Sequence, residues 1–230
     1  KFLMLNFYGR KYPRNIKNDQ LKELYDFKFF LDKNKIKTFK TKTKKFETFN
    51  LEIGFGVGEN IFAQSVKNDK DLFLGCDPYL SGSFNLKKDI KTFGLKNLFF
   101  TNLDFLELFE FLKSTIFTKI VILFPDPWPK KRHKKRRLIN SSFVSLLELI
   151  TFEKTKIIVA TDHEDYLTQI LYEFYKSKYF ELSTEVIGYE VYTCFDISLT
   201  KYHKKAKKSK KRVYFLLFEK KNLKKFFKII

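Results

Sequence analysis

The sequence predicts an α/β protein in which a mostly parallel sheet carries helices on both faces. Three observations support this prediction. From residue 48 onward, short apolar runs alternate with segments of helical spacing, a glycine-rich turn follows the first run, and Asp77 directly follows the second. The chain has 230 residues, 44% of them hydrophobic, which is enough for one sizeable core.

Seven strands are predicted, the last two as closing strands. Each is a short apolar run bounded by turn-forming residues: 48–53, 72–76, 98–101, 120–124, 156–160, 184–192 and 213–218. The predicted helices precede and separate these runs: 18–34, the turn to about Val66, 81–93, 104–112, 138–150 and 164–178. We expect residues 1–17 to form a basic N-terminal arm and residues 18–230 to form a single domain.

The charge balance points to a polyanionic partner. The net charge is +20, and cations that contact phosphates release condensed counterions. An alternative stays open, because only six of the 46 basic residues are Arg and Phe occurs 29 times. Such a composition is also typical of AT-rich coding, which raises the Lys content without selection for binding.

The remaining composition predicts a cytoplasmic protein without a metal site. No apolar run reaches the length of a membrane span, and the first residues are too short an apolar stretch for a secretory signal. Cys76 and Cys194 lie far apart and in no metal-type spacing, which disfavours both a disulfide framework and a zinc site. The sequence leaves a monomer and a homodimer equally open.

The glycine-rich turn, L-E-I-G-F-G-V-G-E from Leu51 to Glu59, is interpreted as a cofactor site. Its three glycines allow a tight turn and a close approach of the backbone to a ligand: Gly54, Gly56 and Gly58. A dinucleotide fingerprint requires glycine where Glu59 stands. Glu52 suits a cationic ligand better than a pyrophosphate, and S-adenosylmethionine carries a sulfonium and an ammonium.

Two further carboxylates follow the next strands. Asp77 ends the second strand, where a carboxylate accepts ribose hydroxyls, and Asp104 follows the third, where it faces the adenine. The competing interpretation is a purely structural turn with acids placed there by chance. We favour the donor site, because ligands of such sheets bind at the carboxyl ends of the strands.

The most informative stretch lies between Phe124 and Leu138, F-P-D-P-W-P-K-K-R-H-K-K-R-R-L. Three prolines stiffen it around Asp126, which we predict to accept hydrogen bonds from a guanine edge and to be the catalytic residue. Trp128 either stacks on a base or packs the loop. Seven of the eight residues at 130–137 are Lys or Arg, and we favour phosphate contacts over a merely solvated helix face. For His133 we expect no base or metal role.

Three motifs resemble the bacterial tRNA (guanine-N7-)-methyltransferase family over about residues 7–219. They are the glycine-rich motif, the Pro-Trp-basic motif and A-T-D-H-E-D-Y at 160–166. The resemblance implies a Rossmann-like class I methyltransferase fold, with S-adenosylmethionine as donor and the variable-loop guanine of tRNA as target. It implies donor contacts at four carboxylates: Glu52, Asp77, Asp104 and Asp126. The family usually has Glu where Asp77 stands.

The resemblance also implies a substrate side. Lys130 and Asp162 match substrate-binding positions, although Asp162 is also a suitable helix N-cap. The family's late T-K/R-F-E motif falls on four residues: Thr200, Lys201, Tyr202 and His203. Here His203 replaces the family's Glu. The Lys-rich stretch at 204–212 replaces a more mixed segment, and either binds phosphates or reflects Lys-rich coding.

The reaction that these residues predict needs alignment rather than a base. Guanine N7 has a free lone pair, and the transferred methyl is already activated by the sulfonium, so positioning contributes most of the rate. Asp126 favours the positive charge that appears on the guanine. Three alternatives stay open: a class I methyltransferase acting on another RNA base or a protein, a non-catalytic RNA-binding protein of the same fold, and an aminopropyltransferase.

Overall fold

The computed structural model describes residues 9, 11–42, 45–112, 115–183 and 195–221. Seven strands form one sheet: β1 Phe49–Ile53, β2 Leu72–Cys76, β3 Leu98–Thr101, β4 Phe117–Leu123, β5 Thr151–Thr161, β6 Phe180–Leu182 and β7 Tyr214–Lys220. Their order is β3-β2-β1-β4-β5-β7-β6. The first five strands are parallel, and β7 runs antiparallel to both of its neighbours.

Helices connect successive parallel strands, and others precede the first of these strands or follow the last. In the described parts of the chain they are α1 Asn18–Asp26, α2 Glu59–Lys67, α3 Ser81–Phe93, α4 Phe105–Leu112, α5 Ser141–Leu149, α6 Glu164–Lys176 and α7 Lys201–Lys208. Two 3-10 helices cover Lys35–Lys42 and Lys131–Arg136. None of the described helices is long and apolar enough to cross a membrane.

Both faces of the sheet are buried. Along β4, Ile120 and Ile122 belong to the larger core, whereas Val121 and Leu123 belong to a smaller cluster that contains Ala206 of α7. Successive side chains of a strand point to opposite faces, so the two clusters cover opposite sides of the sheet. The predicted α/β fold with a mostly parallel seven-stranded sheet is therefore confirmed.

The parallel strands bring their carboxyl ends to one edge. Ile53 pairs with Cys76, and Cys76 pairs with Thr101. Hydrogen bonds continue this ladder into the loops, since Gly54 N donates to Cys76 O at 2.7 Å and Asp77 N donates to Thr101 O at 3.1 Å. The glycine-rich turn and Asp77 consequently start at the same level of the sheet.

Several predicted boundaries differ from the structure. The helix predicted at 18–34 ends at Asp26, because Phe30 forms a parallel bridge with Phe100 and joins the core instead. The strand predicted at 156–160 begins five residues earlier, at Thr151. Helix α7 was not predicted. The predicted strand at 184–192 lies outside the described residues, whereas the predicted strand at 213–218 corresponds to β7, and β6 was not predicted.

The described part of the predicted N-terminal arm contacts the domain. The carbonyl of Lys11 accepts from Leu80 N at 3.0 Å, and the Lys11 ammonium lies 3.9 Å from a carboxylate oxygen of Glu107. Residues 1–8 and Arg10 lie outside the described part of the chain, as does Cys194. Cys76 is buried within β2.

Candidate donor and substrate site

A cleft of about 920 Å³ opens at the carboxyl edge of the sheet. Seven of the predicted site residues line it: Gly54, Gly56, Asp77, Asp104, Asp126, Lys201 and Tyr202. Six others lie outside its lining: Glu52, Gly58, Lys130, Asp162, Thr200 and His203. The predicted donor-side and substrate-side residues therefore meet in one cleft, although not all of them face it.

The glycine-rich turn requires the left-handed backbone that favours glycine. Gly54, Gly56 and Gly58 have φ angles of 78°, 60° and 92°. A Cβ at Gly54 would meet nothing within 4 Å, so this part of the backbone is open to a ligand. A Cβ at Gly58 would lie 2.5 Å from a Leu86 methyl, so Gly58 has a packing role against α3.

Asp77 fixes the shape of this turn. One of its carboxylate oxygens accepts from Gly56 N and the other from Tyr79 N, both at 2.8 Å. Burial raises the pKa of Asp77 to about 6, although these two hydrogen bonds oppose the shift. Each carboxylate oxygen keeps a second lone pair, which allows Asp77 to hold the turn and still accept from a ligand.

Asp104 caps the following helix. Its side chain accepts from Glu107 N at 2.9 Å, and the Glu107 side chain accepts from Asp104 N at 3.3 Å. This reciprocal arrangement is a capping box at the start of α4. Because Asp104 also lines the cleft, its cap and its predicted adenine-side position are compatible.

Asp126 lies in a constrained loop between Phe124 and Trp128. Both of these flanking residues have left-handed backbones, with φ angles of 53° and 40°, which are uncommon for non-glycine residues. Loss of surrounding water raises the pKa of Asp126 above its ordinary value. The loop thus presents a carboxylate to the cleft in a position set by its backbone.

Arg137 anchors this loop from behind. Its side chain is 1% exposed, and its guanidinium donates to Pro127 O at 2.8 Å and to Gln169 Oε1 at 2.9 Å. It also pairs with Asp165 and lies over the Tyr166 ring. The last member of the predicted phosphate-binding run is therefore almost fully buried, although it forms part of the cleft lining, and its anchoring role was not predicted.

The other members of the basic run are more exposed than Arg137. Lys135 and Arg136 line the cleft, and the Arg136 guanidinium lies 5.0 Å from the centre of the Trp128 ring. Trp128 also contacts His133 edge to face, with 5.8 Å between ring centres. Trp128 consequently packs within its own loop while it lines the cleft.

Glu52 does not face the cleft. It is 4% exposed, it lines a small separate cavity, and its carboxyl accepts from Asn60 Nδ2 at 2.7 Å. Burial raises its pKa to about 8. Glu52 thus lies beneath the glycine-rich turn and outside the cleft lining, and its donor contact stays a prediction.

The T-K-Y-H motif forms the start of α7. Thr200 is the N-cap and His203 the third helical residue, and Thr200 N donates to His203 Nδ1 at 3.3 Å. His203 is 1% exposed and stacks on Phe215, and burial lowers its pKa to about 4. A neutral His203 thus takes the capping-box position at the start of α7, where the resemblance predicted a Glu.

Tyr202 connects the two sides of the cleft. Its ring stacks on Phe124 with 6.0 Å between centres, and a Cβ at Gly56 would lie 3.8 Å from its Cε2 atom. It is 45% exposed. Tyr202 therefore lies between the glycine-rich turn and the loop of Asp126.

Two predicted substrate residues lie outside this contact region. Lys130 is exposed and precedes the 3-10 helix at Lys131–Arg136. Asp162 pairs with Lys211 at 3.4 Å, and it directly follows β5. Neither residue lines the cleft, so we expect them to contact parts of the substrate other than the target base.

The structure also identifies residues that the sequence interpretation did not single out. Asn60 and Glu59 of α2 accept hydrogen bonds from the backbone of Ser198 and Lys201, respectively. Glu59 ends the glycine-rich motif and Asn60 follows it, but the motif did not predict these contacts, because they join positions about 140 residues apart. The position of Arg137 beside the apolar Leu138 and Ile139 was the one available signal for its burial.

Known proteins support this arrangement at the level of both family and fold. A protein-family profile described as "Putative methyltransferase" matches residues 47–216. The chain is 38% identical over 165 residues to a tRNA (guanine-N(7)-)-methyltransferase of Wolbachia pipientis wMel, covering 72% of each chain. A second protein of that name, from Jannaschia sp. (strain CCS1), is 30% identical over 227 residues and 95% of each chain.

Solved structures share the fold at low sequence identity. An antibiotic-related methyltransferase aligns with a TM-score of 0.60 at 20% identity, over 83% of this chain and 95% of its own. A 16S rRNA (adenine(1408)-N(1))-methyltransferase from Catenulisporales acidiphilia gives a TM-score of 0.57 at 14% identity, over 84% and 94%. A putative methyltransferase from Streptococcus mutans, solved in complex with SAH, gives 0.50 at 7% identity, over 77% and 90%.

The sheet order and the glycine-rich turn beside Asp77 define a class I methyltransferase, and the solved structures share that architecture. Within that class, the two relatives at 38% and 30% identity, which align over 72% and 95% of their lengths, identify the family. The chain belongs to the tRNA (guanine-N7-)-methyltransferase family.

Proposed function

We propose that this chain transfers a methyl group from S-adenosylmethionine to N7 of the variable-loop guanine of tRNA. One observation carries the proposal. The glycine-rich turn with Asp77 and the constrained loop of Asp126 open into the same cleft, beside a strongly basic surface. Family membership supports the reaction and the tRNA substrate.

The residues present fit the donor. Asp77, Asp104 and Asp126 line the cleft, and among the described residues none of the three forms a salt bridge. Their negative charge suits a cationic ligand, and the open backbone at Gly54 admits its close approach. When bound, the donor supplies a methyl group that its sulfonium has already activated.

The protein's contribution to the reaction is position and charge. Guanine N7 carries a lone pair, so no side chain has to remove a proton from it. Asp126 accepts from the N1–H and N2–H₂ groups of the guanine and orients the base. Its carboxylate also stabilises the positive charge that forms on the methylated ring.

Helix α7 extends the basic surface away from the cleft. Lys201 lines the cleft, whereas His203 and Ala206 face the core. The positions after His203 and after Ala206 carry exposed lysines, none of which forms an ion pair within the described residues: Lys204, Lys205, Lys207 and Lys208. This spacing keeps the cations at the surface, and we assign them to the tRNA backbone.

The product of the reaction tests the proposal directly. Purified protein is incubated with an unmodified tRNA transcript and isotope-labelled donor, and the modified nucleotide is mapped by nuclease digestion and mass spectrometry. We expect one N7-methylguanine, in the variable loop, and none in a transcript whose variable-loop guanine is replaced by adenine. Methyl transfer to another base, or to protein, would reject the assigned target.

Asp126 is tested with an isosteric change. Asp126→Asn keeps the size of the side chain but places a donor where the guanine also donates, so methyl transfer should fall by about 100-fold or more. Asp69→Asn is the matched control at an exposed position outside the cleft lining, and we expect its single-turnover rate at saturating tRNA to stay near wild type. Equal rates for Asp126→Asn and wild type would refute the role of Asp126.

The α7 surface is tested by salt dependence. Replacing its four exposed lysines by Gln should reduce the slope of log affinity against log salt by about one for each phosphate that the helix no longer neutralises. The control carries the same charge change at four exposed lysines elsewhere: Lys22, Lys88, Lys96 and Lys178. If both variants change the slope equally, α7 makes no specific contribution to tRNA binding.

A further inference from the structure

We propose that Gly75 and Gly82 are positioning residues of the donor site. Neither belongs to the glycine-rich motif, but the absence of a side chain at both positions leaves the space in which Phe55 and Gly56 of that motif are seated. The two glycines thereby set the distance between the turn and Asp77. The inference rests on the proposed function, because it concerns how the methyl donor is held.

Gly82 stands in the first turn of α3, where this helix lies against the glycine-rich turn. A Cβ at this position would overlap the carbonyl oxygen of Gly56 and would lie 2.9 Å from the Gly56 carbonyl carbon. Both atoms belong to the backbone, so a change of rotamer cannot relieve the clash. Glycine forms helices less readily than alanine, so the helix itself does not favour this residue. The close packing of α3 on the turn is therefore the reason that Gly82 is needed.

Gly75 lies within β2, next to the side chain that the same turn buries. Phe55 is 4% exposed, and a Cβ at Gly75 would lie 2.8 Å from its Cδ1 atom. A Cβ at Gly82 would lie 3.0 Å from the Cε2 atom, at the opposite corner of the ring. Phe55 is therefore held in a slot between β2 and α3, and each wall of this slot is a glycine.

The slot determines the orientation of the Gly56 backbone. The Gly56 N–H donates to Asp77 Oδ2 at 2.8 Å, while the Gly56 carbonyl lies against Gly82. The other carboxylate oxygen of Asp77 accepts from Tyr79 N, shortly before α3 begins. Gly56 and Asp77 both line the cleft, so a shift of α3 moves two groups that we assign to the donor. A misplacement of about 1 Å at such groups is enough to weaken their contribution strongly.

Gly82→Ala and Gly75→Ala test the slot, and two other variants on α3 are controls. Gly94→Ala adds a methyl group at the far end of the helix, where nothing lies within 4 Å of the new Cβ. Ile90→Ala removes a buried core side chain about two helical turns from Gly82, so it lowers stability at a distance from the glycine-rich turn. Each full-length variant is measured for affinity to S-adenosylmethionine by calorimetry without tRNA, and for the midpoint of urea denaturation.

We expect Gly82→Ala to weaken donor binding by at least about tenfold, and Gly75→Ala to weaken it by a smaller factor, because the clash at Gly75 is with side chains. The KM for tRNA at saturating donor should change by less than about twofold in both variants. Gly94→Ala and Ile90→Ala should keep the donor affinity of wild type. The proposal is overturned if Gly82→Ala binds the donor like wild type. It is also overturned if Ile90→Ala weakens binding as much as Gly82→Ala does, since lost stability would then explain the effect.

A compensating change tests the slot in a second way. Leucine is smaller than the ring of Phe55, so Phe55→Leu should restore part of the donor affinity that Gly75→Ala loses. It should restore little in Gly82→Ala, where the clash is with the Gly56 backbone. If Phe55→Leu leaves the donor affinity of Gly75→Ala unchanged, the slot does not seat the ring and the proposal fails. This comparison remains decisive if Gly82→Ala does not fold.

Amide hydrogen exchange follows the turn itself in the absence of donor. Exchange at residues 54–58 should be faster in Gly82→Ala than in wild type and unchanged in Gly94→Ala. Unchanged exchange in Gly82→Ala would contradict the proposal even if its donor affinity falls. A wild-type protein that has no affinity for S-adenosylmethionine but shows this exchange pattern would instead reject the proposed function.

Discussion

The buried Arg137 provides the most direct test of how the loop of Asp126 is held. Arg137→Met keeps the apolar stem but removes the guanidinium, which leaves Pro127 O and Gln169 Oε1 without their donor. Removing each bond from a charged donor costs about 1.5–3 kcal/mol. The pairing with Asp165 adds little, since that side chain is 47% exposed. Recovered apolar packing offsets part of this cost, so we expect a loss of about 3 kcal/mol in the free energy of unfolding.

Urea denaturation measures this loss, and Lys134→Gln is the matched control. Lys134 contacts the same Asp165 at 2.6 Å, but its side chain is 38% exposed, so its removal should cost less than about 1 kcal/mol. Methyl transfer by Arg137→Met should fall as well, because Pro127 adjoins Asp126. If Arg137→Met and Lys134→Gln cost equally little, the loop is not anchored through the guanidinium.

Because burial raises the pKa of Asp77 to about 6, calorimetric donor affinity should fall as the pH drops below that value, and Asp77→Asn should remove this dependence. In urea denaturation, Gly58→Ala should lower the free energy of unfolding by about 2–4 kcal/mol, because its φ is 92° and the new methyl group would clash with Leu86. Gly94→Ala, which has open space around it, should lower it by about 1 kcal/mol. Equal losses in the two variants would contradict the packing argument. Burial gives Glu52 a pKa of about 8 in the folded protein, against 4.5 in the unfolded chain. As the pH rises between these two values, the free energy of unfolding of wild type should fall relative to that of Glu52→Gln, by up to about 1.4 kcal/mol per pH unit. A difference that does not change with pH would contradict this prediction.

The strands of the central sheet were predictable because their signals are local. Leu72–Cys76 and Leu98–Thr101 are apolar runs between turn residues, and the structure places strands at the same positions. The end of α1 was not predictable in this way. Its helical spacing continues past Asp26, but Phe30 and Leu31 gain more by burial against Phe100 than by extending a surface helix.

The sequence located the edge of the sheet that forms the site, but it did not show which way each side chain points. Asp77 follows its strand and reaches the cleft, whereas Glu52 lies within β1, where alternation directs it to one face. Arg137 was grouped with the neighbouring cations for a similar reason. A run of like charges predicts a surface, and the burial of one member depends on Asp165 and Gln169, about 30 positions away.

His203 stands where the resemblance predicts a Glu, and the capping box at the start of α7 limits which side chains fit this position. The third residue of α7 has to accept from Thr200 N, and a Glu carboxylate or a neutral imidazole satisfies that requirement equally well. Imidazole adds what a carboxylate cannot, since its ring stacks on Phe215 and contacts Phe124 edge to face, with 4.6 Å between ring centres. Because Phe124 begins the loop of Asp126 and also stacks on Tyr202, His203 both caps α7 and packs against the base of the cleft. His203 therefore serves at this position as an uncharged hydrogen-bond acceptor. It contacts Phe124, which lines the cleft and stacks on Tyr202.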